Sequence, residues 1–169
     1  TVGQPYTAAF TASGGVGAKT FSLATGQLPA GLTFDTATGL ISGTPAAKGM
    51  SPAIAVRVRD ASNSAATAPA FDLYVSDPLV VSGIPGADAT VGSAYSGNAT
   101  VAGGRPAYAW TLDTGTLPPG LQLSAVTGVI AGTPTQMGTA SGLRLRVTDV
   151  DGRTGTTEPF AIAVTAPLT

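Results

Sequence analysis

Cysteine and histidine are both missing from the 169 residues. No disulfide, thiolate nucleophile or Cys/His zinc site can form without them. Neither Ser-His-Asp nor Cys-His catalysis can be assembled from this chain. The lack of cysteine leaves the compartment open, because exported proteins can lack it too. Charge is also scarce. Asp, Glu, Lys and Arg make up 10% of the chain, against the usual quarter. The net charge of −1 offers no basic footprint for nucleic acid. No apolar run approaches the roughly 18 residues of a membrane span. No stretch reads as a signal peptide, and no segment carries a convincing 3.6-residue apolar stripe.

What is present suits a β protein. Hydrophobic residues reach 43%, enough for a real core. Gly (23) and Pro (13) together form roughly a fifth of the chain. That is below a disordered or collagen-like bias, and it fits many short strands joined by turns.

The chain repeats itself. A shift of 89 positions sets Gly3 on Gly92, Tyr6 on Tyr95 and Gly14-Gly15 on Gly103-Gly104. It sets Phe21 on Trp110, Leu23 on Leu112 and Asp60 on Asp149. Leu28–Pro45, LPAGLTFDTATGLISGTP, meets Leu117–Pro134, LPPGLQLSAVTGVIAGTP. About 30 of some 80 aligned pairs are identical without a gap. Repetition on this scale means two tandem copies of one unit. The boundaries expected are 1–77 for the first copy and 78–166 for the second, with 167–169 a terminus or the start of a further repeat. Residues 81–89 have no counterpart in the first copy. The expectation is therefore a first domain without its opening strand: either a piece of a longer array, or a subunit that borrows an edge strand.

Each copy reads as all-β. Val56 and Val58 alternate with Arg57 and Arg59, the period-two pattern of a half-buried strand. Leu143, Leu145 and Val147 alternate in the same way with Arg144 and Arg146. Phe71, Leu73 and Val75, then Phe160, Ile162 and Val164, give further inward sets. The residues retained in the LP…GTP stretch are those with backbone duties. Pro29 suits an extended corner, and Gly31 and Gly120 suit a conformation that side chains resist. Thr38-Gly39 and Thr127-Gly128 are turn dipeptides. Gly43 and Pro45 close the hairpin that Leu32, Phe34 and Ile41 flank.

The pattern L-P-x-G-L-x-[FL]-x-x-x-T-G-x-I-x-G-T-P-x-x-x-G, then R-V-x-D, then F-x-[LI]-x-V, covers nearly all of both copies. It resembles the immunoglobulin-like repeat family of bacterial surface and phage proteins, which overlaps the dystroglycan-type cadherin-like domains. The resemblance implies two tandem immunoglobulin-like (cadherin-like) β-sandwiches of about seven strands each. It implies spacing, adhesion or display, and it carries no catalytic motif. Immunoglobulin domains with a disulfide pin a Trp against the cystine. Phe21 and Trp110 must pack without one.

Candidate chemistry is thin. Calcium wants six to eight oxygens, and the resemblance to cadherin-like domains makes Asp77, Asp88, Asp149 and Asp151 the residues to examine. Asp60 and Asp149 equally suit capping of a turn through their side chains. The nine acids are scattered, with no paired carboxylates retained for glycoside hydrolysis. Tyr74 and Tyr108 are candidate sugar platforms, but their counterparts are Ala163 and Lys19. Arg57, Arg59, Arg144 and Arg146 form a basic stripe with two open readings. It is a solvated face that discourages edge aggregation, or a contact for an acidic neighbour. Asp72 on the next strand is expected to pair with the stripe in copy one.

The expectation is a non-catalytic spacer, stalk or adhesive segment of an exported bacterial surface protein, extracellular or at the cell surface, with no cofactor. A phage virion appendage, a filament subunit completed by strand donation and a calcium-dependent adhesin are the alternatives. Expected partners are neighbouring repeats, copies of the chain, or a surface protein or glycan. Nucleic acid is not among them, and no segment spans a membrane.

Overall fold

The computed structural model describes residues 1–83, 85–86 and 88–167. The chain divides into two compact units, Thr1–Asp77 and Pro78–Thr169. Among the described residues there is no helix, and so none long and apolar enough to cross a membrane.

Unit 1 contains β1 (Tyr6–Ala9), β2 (Thr20–Thr25), β3 (Leu32–Asp35), β4 (Leu40–Gly43), β5 (Gly49–Arg59), β6 (Ala65–Thr67) and β7 (Phe71–Val75). One sheet has the order β1-β4-β3; in the other β5 pairs with β2, β6 and β7. Unit 2 contains β8 (Val80–Ser82), β9 (Asp88–Thr90), β10 (Tyr95–Asn98), β11 (Thr100–Ala102) and β12 (Ala109–Thr114). It continues with β13 (Leu121–Leu123), β14 (Val129–Gly132), β15 (Gly138–Thr148), β16 (Thr154–Thr156) and β17 (Phe160–Thr165). Its sheets are β10-β14-β13, β12-β15-β17-β9 with β16 also on β15, and the pair β8-β11.

The shared frame follows from the alternating sequence. Val56 and Val58 of β5 sit opposite Leu23 and Phe21 of β2. Leu145 and Val147 of β15 sit opposite Leu112 and Trp110 of β12. These pairs put apolar side chains on one face and arginines on the other. In unit 2, Tyr95, Leu121 and Ile130 from the smaller sheet share a core with Trp110, Leu145, Val147 and Ile162 from the larger one. Two packed, mainly antiparallel layers around one core are a β-sandwich.

The long strands β5 and β15 each change partner midway. The first part of β5 pairs with β7 and the rest with β2 and β6, with a bulge between Ser51 and Ile54. β15 behaves alike, with its bulge between Ala140 and Leu143. The bulge residue is Gly142 (φ 66°) in unit 2 but Ala53 (φ 51°) in unit 1. A left-handed alanine is strained. Asp72 Oδ1 accepts the Ala53 N–H at 2.9 Å and helps hold it there. This corrects the expected pairing of Asp72 with the arginine stripe: the carboxylate serves its local backbone instead.

The LP…GTP stretch is a corner followed by the β3–β4 hairpin, with Leu32 opposite Gly43 and Asp35 opposite Leu40. Gly31 (φ 91°) and Gly43 (φ 135°) lie so close that a Cβ on either would overlap backbone, the Thr44 carbonyl oxygen for Gly31 and the Gly31 carbonyl oxygen for Gly43. Gly120 and Gly132 repeat the arrangement. The Thr-Gly pair has a duty beyond its turn. A Cβ on Gly128 would lie 2.7 Å from the Trp110 indole, and one on Gly39 would lie 3.0 Å from the Phe21 ring. The aromatic residue packs on a bare glycine where disulfide-bearing relatives of the fold use a cystine.

Candidate functional site

The residues that repeat with the same polar partners lie at the β5–β6 and β15–β16 turns. Asp60 accepts N–H donors from Val16 (2.9 Å), Ser62 (2.9 Å) and Ser64 (2.9 Å). Asp149 accepts the equivalent three, from Arg105 (3.1 Å), Asp151 (3.0 Å) and Arg153 (2.9 Å). Each aspartate thus ties its own turn to the loop before β2 or β12. Asp149 is buried, and its side chain also takes the Arg153 guanidinium at 3.3 Å. Burial pushes the Asp149 pKa up, but N–H donation from Arg153, Arg105 and Asp151 and the Arg153 charge outweigh it, leaving the pKa below the ordinary value. Asp60 is lowered as well, chiefly by the Val16 N–H and then by the Ser62 hydroxyl.

Of the calcium candidates, Asp149 and Asp151 share one turn. Asp151 pairs with Arg105 (3.2 Å) and Arg153 (3.1 Å). Asp77 pairs with Lys48 at 2.6 Å in unit 1, and Asp88 lies exposed in β9. Within either unit, no three carboxylates converge among the described residues. The lone pairs of Asp149 are taken up by N–H donors, where a hard cation would need them free.

The arginines stand on the outer face of β5 and β15, opposite small residues: Arg57 faces Ser22, Arg59 faces Thr20, Arg146 faces Thr111 and Arg144 faces Thr114. They do not form one uniform stripe. Arg146 Nε donates to Asp113 at 2.8 Å, while Arg59 donates to Asn63 at 3.3 Å. Sequence reading missed Asp113. The signal was there: its counterpart is Ala24, and two residues on from Thr111 it shares the outward face with Arg146, at a bulge between Leu112 and Thr114. Tyr108 donates its hydroxyl to the Gly103 carbonyl at 2.6 Å, and Tyr74 is 38% exposed. The two are not equivalent positions, so they do not form a repeated platform.

A groove of about 270 Å³ opens in unit 1 between Phe10, Ala12, Phe21, Val58, Ala66 and Ala68. A shallower one of about 150 Å³ adjoins it, sharing Ala12, Val58 and Ala66 and reaching Gly15 and Lys19. In unit 2 the equivalent place is filled. β8 pairs antiparallel with β11, setting Val81 opposite Val101. Val81 and Leu79 lie directly over Gly155, within 2.9 and 3.3 Å of where its Cβ would stand.

The family described as "Putative Ig domain" matches residues 1–76 and again 77–165. The chain belongs to that family. Both Ig domains are all-β, in keeping with the immunoglobulin-like sandwich that the repeat motif implies. No curated protein matches the chain. Among solved structures it is similar to a C-terminal 282-residue fragment of intimin, in complex with the intimin-binding domain of the translocated intimin receptor. Identity there is 20% over 94% of this chain and 56% of that one, with a TM-score of 0.48. It is similar to the endo-fucoidan hydrolase MfFcnA4 from glycoside hydrolase family 107, at 24% identity over 98% of this chain and 27% of that one, TM-score 0.41. Extracellular cadherin domains 3–6 of protocadherin gamma B2 match at 12% identity over 88% of this chain and 44% of that one, TM-score 0.41. The two Ig domains thus span from about a quarter to about half of these solved chains.

Proposed function

We propose that these two Ig domains are a non-catalytic structural and adhesive segment of an exported bacterial surface protein: a spacer, stalk or display module. One observation carries the reading. The features retained between the domains with their geometry intact are architectural: the crossed glycines, the aromatic-on-glycine turn and the Asp60 and Asp149 anchors. Several outward polar residues, by contrast, change from copy to copy, as at Arg59/Thr148, Tyr74/Ala163 and Ala24/Asp113, while Arg57/Arg146 is retained. A catalytic or ligand-reading site shared by both copies would retain outward chemistry instead.

The test is labelling of intact cells of the source bacterium with antibody raised against the 169-residue chain, combined with adhesion assays after the segment is deleted or replaced by unrelated Ig domains of equal number. Surface labelling is expected, with adhesion lost on deletion. Rescue by the unrelated domains marks a spacer; failure of rescue marks an adhesive face. Labelling confined to the cytoplasm overturns the reading. Labelling confined to purified virions does so too, in favour of a phage appendage.

A further inference from the structure

We propose that the outer sheet face of unit 1 around Arg57 is a contact site for an acidic partner protein, a role beyond the structural one above. The partner presents an extended strand with carboxylates on alternate residues.

Arg57 and Arg146 are equivalent arginines, and both are exposed. Each stands on a middle strand with a hydroxyl in register on either side. Ser22 and Thr67 flank Arg57; Thr111 and Thr156 flank Arg146. Three neighbouring strands make such a row roughly 10 Å wide. A guanidinium offers N–H donors in a planar fork and no acceptor, which suits a carboxylate. In unit 2 a carboxylate is what the row holds. Arg146 donates Nε–H to Asp113 Oδ1 at 2.8 Å and pairs with the same oxygen through a terminal nitrogen.

Unit 1 keeps the row and omits the carboxylate. The bulge that carries Asp113 recurs between Leu23 and Thr25, but the residue in it is Ala24. Among the described residues no acid pairs with Arg57. Two residues on, Arg59 lies opposite Thr20 and gives one N–H to Asn63 at 3.3 Å. Asp60, at the turn after β5, and Asp72, on β7, are committed to backbone N–H groups. Two positive charges on an exposed face with no acid of their own attract an anion from outside. Their interval selects its kind. Arg57 and Arg59 are two residues apart on one strand, about 6.8 Å along its axis. Alternate side chains of another extended polypeptide recur at that same interval, so two carboxylates meet both arginines at once. The repeat of an acidic polysaccharide is set by its sugar ring and not by the pleat.

The test uses the 169-residue chain, isotopically labelled, at low ionic strength. The probes are the capped peptide Thr-Asp-Thr-Asp-Thr and its version with asparagine at both acidic positions. The acidic peptide is expected to shift the Nε–H resonances of Arg57 and Arg59 and the amides of Ser22 and Thr67. Its affinity should be on the order of millimolar, since exposed ion pairs are weak. The asparagine peptide should leave these resonances unmoved, and raised salt should reverse the shifts. Arg57→Ala should weaken binding about fivefold. Ala24→Asp, which supplies the carboxylate that unit 2 has, should abolish it; Ala24→Asn should not. Asp113→Ala should open the second site, with shifts at Thr111, Arg146 and Thr156. Absence of shifts at millimolar acidic peptide, or equal shifts from both peptides, overturns the site. Binding untouched by Ala24→Asp, with nothing gained in Asp113→Ala, overturns the role given to the missing carboxylate. An oligogalacturonate that moves the same resonances at lower concentration than the peptide overturns the protein partner in favour of an acidic polysaccharide. None of these failures would touch the spacer reading, which needs no partner on this face.

Discussion

Unit 1 and unit 2 share a frame and differ in how well it is covered. Val147 is 0% exposed and Trp110 3%, whereas their counterparts Val58 and Phe21 are only half-buried. Phe160 and Ile162 are buried while Phe71 and Leu73 are partly open. The frame strands are the same, so they are not the cause. The difference traces to the segment from Pro78 to Thr90, which supplies β8 beside β11 and β9 beside β17 in unit 2 and has no described equivalent in unit 1. Phe10, standing where unit 2 has Ala99, partly compensates by packing on Phe71 at 5.9 Å between ring centroids. In unit 2, two short strands that add few ladder bonds of their own complete the cover of the core.

The largest test of this contrast is truncation of the paired aromatics. Trp110→Ala should cost unit 2 about 4 kcal/mol, the range for a fully buried large side chain. Phe21→Ala should cost unit 1 about half as much, because part of that ring already faces water. Urea unfolding of the full chain, followed by resonances of each unit separately, gives both values. Equal losses would break the comparison.

Next in size are the turn anchors. Asp149→Asn should destabilise unit 2 by about 2 kcal/mol, since an amide cannot accept from Arg105, Asp151 and Arg153 together without turning its own N–H groups on a donor. Asp60→Asn should cost unit 1 less, because Asp60 is only half-buried where Asp149 is buried. A third test follows from their ionisation. Both carboxylates have folded pKa values below the ordinary 3.8. Their contribution is therefore complete above that value and is lost as pH falls through the folded pKa. Thermal midpoints should stay flat from neutral pH down to about 5 and fall below about 4. The fall should be shallower in Asp149→Asn, whose site no longer titrates.

The smallest effect sharpens the likeness. Ala53→Gly should stabilise unit 1 by about 0.5 kcal/mol by removing a left-handed alanine. Gly142→Ala should cost unit 2 a comparable amount or more, because no carboxylate is known to hold that bulge. Differential scanning of the two variants measures both.

Much of this was legible in the residues. Val56-Arg57-Val58 announced its strand because one face is buried and the other wet, and period two survives that. The glycines of the LP…GTP stretch were legible as backbone requirements because no side chain fits there. The capping role of Asp60 and Asp149 was one of two readings, and the structure places three N–H donors on each. What escaped were features that break alternation. Asp113, the partner of Arg146, is the residue that the Leu112–Thr114 bulge leaves without an opposite number in the register. The bulge at Ala53 redirected Asp72 from a cross-strand arginine to a nearby backbone N–H. β8, β9 and β11 are three residues each, too short for any periodic signal.

The parallel pairing of β9 with β17 has a mechanical consequence. Ala163, Val164 and Thr165 lie in register with Asp88, Ala89 and Thr90, so the second strand of unit 2 and its last run side by side in the same direction. Tension applied through the two ends of that unit pulls these strands in opposite senses along their axes. Their hydrogen bonds are then loaded together, in shear, and cannot be opened one at a time like a zip. Forced unfolding is a question of rate, and this patch would raise the barrier. At the matching place unit 1 keeps the bond from the Val2 N–H to the Ser76 carbonyl, at 2.8 Å.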